Sequence, residues 1–187
     1  MQIKGYGEAV LFRPFLAGDL ALHFFMPKEY AQVFVTGLLP ELEGIGGRLI
    51  GSRAFEMRRI ELGIPRFGAD MDQNTLPPEA GIEARAVSYT KGCYIGQEVI
   101  SRIKSVGHVN RRLARLQFSG NSGPIPAASP LTLDSVEIGR VTSCANVPGR
   151  GWLGLGYVKR GIGPDSGWLK GEGYEAKVME ESARPPR

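Results

Sequence analysis

The run Lys91-Gly92-Cys93-Tyr94-Ile95-Gly96-Gln97-Glu98 concentrates the chain's most reactive chemistry in eight residues. It puts a thiol at or just before a predicted helix N-terminus, two positions from a lysine. Unpaired backbone N–H groups and a nearby ammonium both stabilise the thiolate. Gly92 and Gly96 let the backbone approach another group closely, or take up φ values that a β-carbon forbids. Tyr94 offers a stacking face, Gln97 an amide and Glu98 a carboxylate. From the residues alone, this is either a reactive cysteine or a loop that grips a ligand. The plain alternative makes Cys93 a small buried hydrophobe in a glycine-shaped turn.

The elements that must position this run are read from periodicity and punctuation. Glu8 to Phe12 and Ala21 to Phe25 read as strands around the turn residues Ala17-Gly18-Asp19. Pro27 opens a helix expected to reach about Leu39, with Tyr30, Val33, Phe34 and Leu38 on one face and Pro40 ending it. A second helix is expected from Ser52 to Gly63. The turn formers between Gly63 and Gly81 mark a loop long enough to have a job. Ile82 to Tyr89 reads as a strand. Tyr94 to Val106 reads as a helix with Ile95, Val99, Ile103 and Val106 in one apolar stripe, and Tyr94, Glu98 and Arg102 opposite. Glu98 and Arg102, four apart, are placed to pair.

From Val109 the pattern turns to short strands: Leu113 to Phe118, Leu131 to Leu133, Glu137 to Ser143, Trp152 to Val158 and Tyr174 to Glu180. Asn121-Ser122-Gly123-Pro124 breaks the first from the rest. Such spacing suggests a small barrel or sandwich. The expected fold class is α+β, with one domain over 1–108, a barrel over 109–181 and a frayed tail at 182–187.

Composition limits the function. Among 187 residues, 42% are hydrophobic and 22% charged, which excludes a disordered or collagen-like chain. The 26 glycines and 13 prolines, about a fifth of the chain, favour many short elements over a helix bundle. No stretch approaches the roughly 20 apolar residues of a membrane span, and the N-terminus has no signal-peptide pattern. Two cysteines make no disulfide framework, so the reducing cytoplasm is the expected compartment. The net charge is +4, yet Ser88 to Phe118 carries six bases against Glu98 alone, a local +5. The Arg111-Arg112-Arg115 cluster there could face an acidic tail or nucleic acid; a solvated strand edge is the plainer account. Single-strand binders use an aromatic–basic strand motif that is missing here, so a nucleic-acid partner ranks last.

Lys91 to Glu98 resembles the K-G-C-Y-x-G-Q-E signature of the YgfZ-type folate-binding proteins. These are relatives of the glycine cleavage T-protein (GcvT, aminomethyltransferase) and are implicated in iron–sulfur cluster assembly or repair. Arg59-Ile60-Glu61-Leu62-Gly63-Ile64-Pro65 resembles the superfamily's R-L-E-x-G-I-P stretch. Phe67-Gly68-Ala69-Asp70 is similar to Y-G-N-D, Leu76 to Gly81 to T-P-x-E-x-G, and Gly139 to Ser143 to G-x-V-T-S.

The resemblance implies a partial GcvT/YgfZ-type folate-binding domain followed by a small antiparallel β-barrel, with tetrahydrofolate as cofactor. Glu61 falls where the family places a carboxylate on the pterin ring, a match for the ring's paired donors. Its plain alternative is an exposed helix residue paired with Arg58. Phe67 is expected to pack against the ring. Lys91, Tyr94, Gln97, Glu98 and Arg102 complete the expected binding set, Arg66 and Asp70 are secondary, and Cys93 is the functional thiol.

Full-length relatives carry an additional N-terminal region, which in the T-protein supplies an aspartate for aminomethyl transfer; nothing around Asp19 matches it. The expectation is either a natural short form or a separate chain supplying the missing half, with a homodimer covering apolar surface left exposed near the N-terminus, and iron–sulfur client or carrier proteins as further partners. A folate-binding accessory protein is therefore the leading reading, not clearly an enzyme. A folate-dependent aminomethyltransferase is second. No protein-only metal site is expected, since His108 has no companion ligand at suitable spacing. Cys144 is expected to be a buried thiol, and Trp152 and Trp168 to pack in the barrel.

Overall fold

A computed structural model describes residues 2–3, 7–12, 21–120 and 123–180. The expected turn at 17–19, the break at Asn121-Ser122 and the tail at 182–187 lie outside the described residues. The chain forms two compact units that divide between Arg58 and Arg59.

In the first unit, β1 (Gln2–Ile3) pairs antiparallel with β2 (Gly7–Glu8), and β3 (Val10–Phe12) pairs antiparallel with β4 (His23–Phe25). Helix α1 (Lys28–Gly44) follows Pro27, and the Phe24 ring meets Phe34 at 5.0 Å between centroids. The expected helix end at Pro40 is corrected: α1 runs on through it. Proline's fixed φ suits a helix, and the bond it removes frees the carbonyl of Thr36, an exposed residue. No residue of α1 is buried.

Helix α2 (Ser52–Leu62) spans the division, and its end opens the second unit with Arg59 and Ile60 buried. Gly63 stops it at φ +73°, where its N–H reaches the Ile60 carbonyl and the Ile64 N–H reaches that of Arg59. A β-carbon on Gly63 would also lie 2.8 Å from Arg115 Cδ. Glycine is therefore favoured twice, by the backbone conformation and by the Arg115 side chain that a β-carbon would displace.

The strand expected over Ile82 to Tyr89 is not formed. Glu83–Ala86 is instead a single helical turn, α3, because Glu-Ala-Arg-Ala favours helix and offers little apolar alternation. Helix α4 (Gln97–Val106) begins three residues later than expected, after Gly96 at φ +86°, and ends at Gly107. Its stripe is also corrected. Ile100 is buried and Ile103 half-buried, whereas Ile95 and Val99 are exposed.

Six strands then close a barrel: β5 (Arg111–Ser119), β6 (Pro130–Leu133), β7 (Val136–Val147), β8 (Gly151–Lys159), β9 (Trp168–Gly171) and β10 (Tyr174–Val178). The order is β10-β5-β8-β7-β6-β9, antiparallel throughout. The small antiparallel barrel expected from the sequence is present, with β9 as an unanticipated strand. Inward alternation seals Leu116, Leu131, Val141, Val158 and Leu169 from water. Trp152 packs against this core, whereas Trp168, 43% exposed, is not among the residues packed on it, contrary to expectation. Cys144 is half-buried in mid-strand, and burial pushes its thiol upward. No described helix is long and apolar enough to cross a membrane.

Candidate functional site

The segment after α2 is tied to the barrel by a buried polar cluster. Arg59 NH1 donates to Asp70 Oδ2 at 2.6 Å and to the Ile64 carbonyl at 3.1 Å, while NH2 donates to Ser143 Oγ at 2.9 Å. Thr142 Oγ1 and Ser143 Oγ both donate to Asp70 Oδ1 at 2.6 Å, and the Arg66 N–H donates to Oδ2 at 3.0 Å. Consecutive side chains on a regular strand point to opposite faces. Two neighbours reach one carboxylate here because the β7–β8 register shifts between Val141 and Ser143, a bulge that re-aims them. Sequence reasoning placed Asp70 among secondary ligand candidates and gave Arg59, Thr142 and Ser143 no role. The available signal was a pair of adjacent hydroxyls in mid-strand.

Glu61 is held by this frame. It lies two residues beyond Arg59, its carbonyl accepts from Arg115 NH1 at 3.2 Å, and its carboxylate Oε1 accepts from Arg150 NH1 at 2.9 Å. Arg150 stands in the turn between β7 and β8, and the Glu61 side chain is 18% exposed. Nearby in sequence, Phe67 is 68% exposed and bridges Met71 through the backbone.

The second group of expected site residues surrounds Cys93, which is exposed rather than sealed in packing. It lies three residues ahead of the Gly96 N-cap, before the helix N-terminus and not in its first turn. A helix dipole acts within its first turn only. The Lys91 ammonium instead lies 4.6 Å from the centroid of the Tyr94 ring, a cation–π contact. The Tyr94 hydroxyl is buried without a protein hydrogen-bond partner, and its carbonyl accepts the Gln97 N–H at 3.2 Å. Lys104 of α4 sits over the Tyr89 ring at 3.6 Å. Tyr89 donates to Glu83, and that bond pushes its phenol up to about 12.

Glu98 and Arg102 are both exposed and form no ion pair with each other. An exposed pair of that spacing gains only about 0.3–0.5 kcal/mol, offset by ordering two long side chains. Among the described residues, no hydrogen bond or ion pair joins the Cys93 group to the Glu61 group.

The arginine cluster is committed within the fold. Arg111 grips Glu79 through Nε at 3.1 Å and NH2 at 3.0 Å, and Arg112 donates to the Ile162 carbonyl at 3.1 Å. Arg115 donates to the carbonyls of Glu61 and Glu180. These three are ties between the barrel and its neighbouring loops. Among the described residues, no group of three or more His, Cys, Asp or Glu is arranged to hold a metal ion.

The architecture is therefore a six-stranded barrel with a turn-rich segment anchored on it, presenting a half-buried carboxylate. It is similar to a solved aminomethyltransferase T of the glycine cleavage system from Bartonella henselae, with a TM-score of 0.71 over 86% of this chain and 45% of that one at 21% identity. By sequence, the chain is 33% identical over 156 residues to an aminomethyltransferase of Nostoc, covering 81% of this chain and 39% of that protein. It is also 33% identical over 118 residues to the human mitochondrial iron–sulfur cluster assembly factor IBA57, covering 60% and 32%. No family model matches the chain. These relatives and the shared fold support placing it in the GcvT superfamily. The chain spans less than half the length of each relative.

Proposed function

We propose that this chain is a tetrahydrofolate-binding accessory protein of the YgfZ type, acting in iron–sulfur cluster assembly or repair through Cys93. The observation that carries the reading is the exposed thiol of Cys93 within the Lys91–Tyr94 cation–π loop. An exposed thiol is open to a client protein or to a folate-bound one-carbon unit, whereas a sealed one is inert. The residues also suit a pterin. Glu61 is a half-buried carboxylate on a rigid helix end, and a carboxylate matches the paired ring donors in charge-assisted hydrogen bonds. The exposed Phe67 ring offers an apolar face nearby in the sequence. Lys91, Tyr94, Gln97, Glu98 and Arg102 remain the proposed contacts around the thiol. The likeness to an iron–sulfur cluster assembly factor supports the cellular role.

Calorimetric titration with tetrahydrofolate tests the ligand, with saturable binding expected and its weakening in Glu61→Gln. Complementation of a strain lacking a full-length relative tests the thiol. Wild type should rescue and Cys93→Ala should not; equal rescue by both ends the thiol proposal.

A second reading, folate-dependent aminomethyl transfer, draws on the sequence likeness to an aminomethyltransferase over 81% of this chain. It requires tetrahydrofolate-dependent ammonia release from an aminomethyl-lipoyl carrier. An assay without such release leaves the accessory role standing.

A further inference from the structure

Arg150 and Glu61 are 89 residues apart in the chain and meet through one contact, NH1 to Oε1 at 2.9 Å. The arginine stands on a closed turn. Its N–H bonds the Val147 carbonyl at 3.0 Å, and Gly149 and Gly151 flank it at φ +74° and +75°. Its side chain is 47% exposed, and among the described residues the rest of its guanidinium makes no protein hydrogen bond. A carboxylate thus stands beside a guanidinium with donors to spare.

That juxtaposition presents acceptors and donors side by side. A pterin edge carries the complementary order, since its 2-amino and N3–H groups donate and its 4-oxo group, next in line, accepts. If the carboxylate takes the two donors, the ring oxygen falls on the side where a guanidinium can donate to it. We infer that Arg150 is a specificity-determining residue that reads the 4-oxo group of the ring held by Glu61. This rests on the folate reading above and extends it to a residue of the barrel. A 4-amino ring sets donor against donor at that position and lacks the N3–H that Glu61 would accept, so it is disfavoured on both counts.

The test is calorimetry on the full chain with tetrahydrofolate and its 4-amino analogue, comparing wild type, Arg150→Ala and Arg150→Lys. The expected result is about a tenfold loss for tetrahydrofolate in Arg150→Ala and little change for the 4-amino compound, so that discrimination falls by about that factor while the share set by Glu61 and the ring N3–H remains. Arg150→Lys keeps the charge without the planar fork and should fall between. Equal losses for both compounds, or no loss, overturn the assignment while leaving the folate site in place. Tighter binding by Arg150→Ala also overturns it, because the arginine is then only a competitor for Glu61. A wild type that binds neither compound is a different result: it removes the folate site itself, and this assignment with it.

Discussion

Arg59 and Asp70 meet across 2.6 Å with their side chains 2% and 0% exposed, and the carboxylate is further held by two hydroxyls of one barrel strand. This pair joins the end of α2 to β7, and so fixes the helix that carries Glu61. Folding the segment without the barrel would leave a guanidinium and a carboxylate to be desolvated with too few partners.

The first prediction concerns that pair. Asp70→Ala takes from the buried Arg59 the carboxylate at 2.6 Å and should cost about 3–5 kcal/mol. Ser143→Ala and Thr142→Val each remove one hydroxyl donor and should cost about 1 kcal/mol. Denaturant midpoints of the three variants give the ranking. Equal midpoints for Asp70→Ala and wild type would show that the cluster holds nothing together.

Barrel packing yields the second. A β-carbon on Gly154 would lie 2.5 Å from the Phe118 ring and equally close to the Ser143 carbonyl. Gly154→Ala should therefore destabilise by about 1–3 kcal/mol through overpacking, visible as a lower thermal midpoint. Gly92→Ala is the control, because nothing lies within 4 Å of its added carbon.

Alkaline pH supplies the third. Tyr157 is buried, its hydroxyl has no protein hydrogen-bond partner, and burial pushes its phenol from 10.0 up to about 12 against smaller opposing pulls from Thr75 and Arg111. The raised value means that the folded state holds the proton longer. Its contribution is whole below pH 10 and is lost as pH climbs from 10 through 12. Tyr157→Phe should be close to neutral at pH 7 and should flatten the fall in stability between pH 10 and 12. Parallel unfolding curves at pH 7, 10 and 11.5 check this.

Exposure at Cys93 leads to the fourth. The thiol packs against no core, so Cys93→Ala should leave the thermal midpoint within about 0.5 kcal/mol of wild type. A thiol-specific reagent should label Cys93 much faster than the half-buried Cys144. Comparable labelling rates would contradict the geometry.

Local patterns explain what was legible early. Alternation in Leu113 to Phe118 and the Gly/Pro punctuation marked five of the six barrel strands, because a period of two records directly which side faces a core. Gly63 marked the end of α2 through an equally local signal, since a backbone at positive φ favours glycine, which has no β-carbon to clash. β9 escaped notice. Its four residues are too few for a period to show, and Trp168 lies outward on it.

The site divided along the same line. Cys93 and Lys91 stood out as residue types at a given spacing, and their loop does carry the cation–π contact. Asp70, by contrast, lies in a polar, turn-rich stretch that looks solvated, and the three arginines of β5 look like a surface charge run. Burial and pairing reversed both impressions once the barrel closed over one and drew in the other.

By itself the sequence determined the strand-rich second half, the helix stop before Pro65 and the thiol-bearing loop, all of which depend on neighbours a few residues away. Only the tertiary structure decided that Asp70 is sealed, that Arg111 belongs to Glu79, and that Glu61 faces Arg150. Those contacts join residues 32 to 89 positions apart, or follow from a bulge that turns two adjacent hydroxyls the same way. Periodicity records which face of an element is apolar; which distant charge comes to that face is settled when the sheet closes and water leaves.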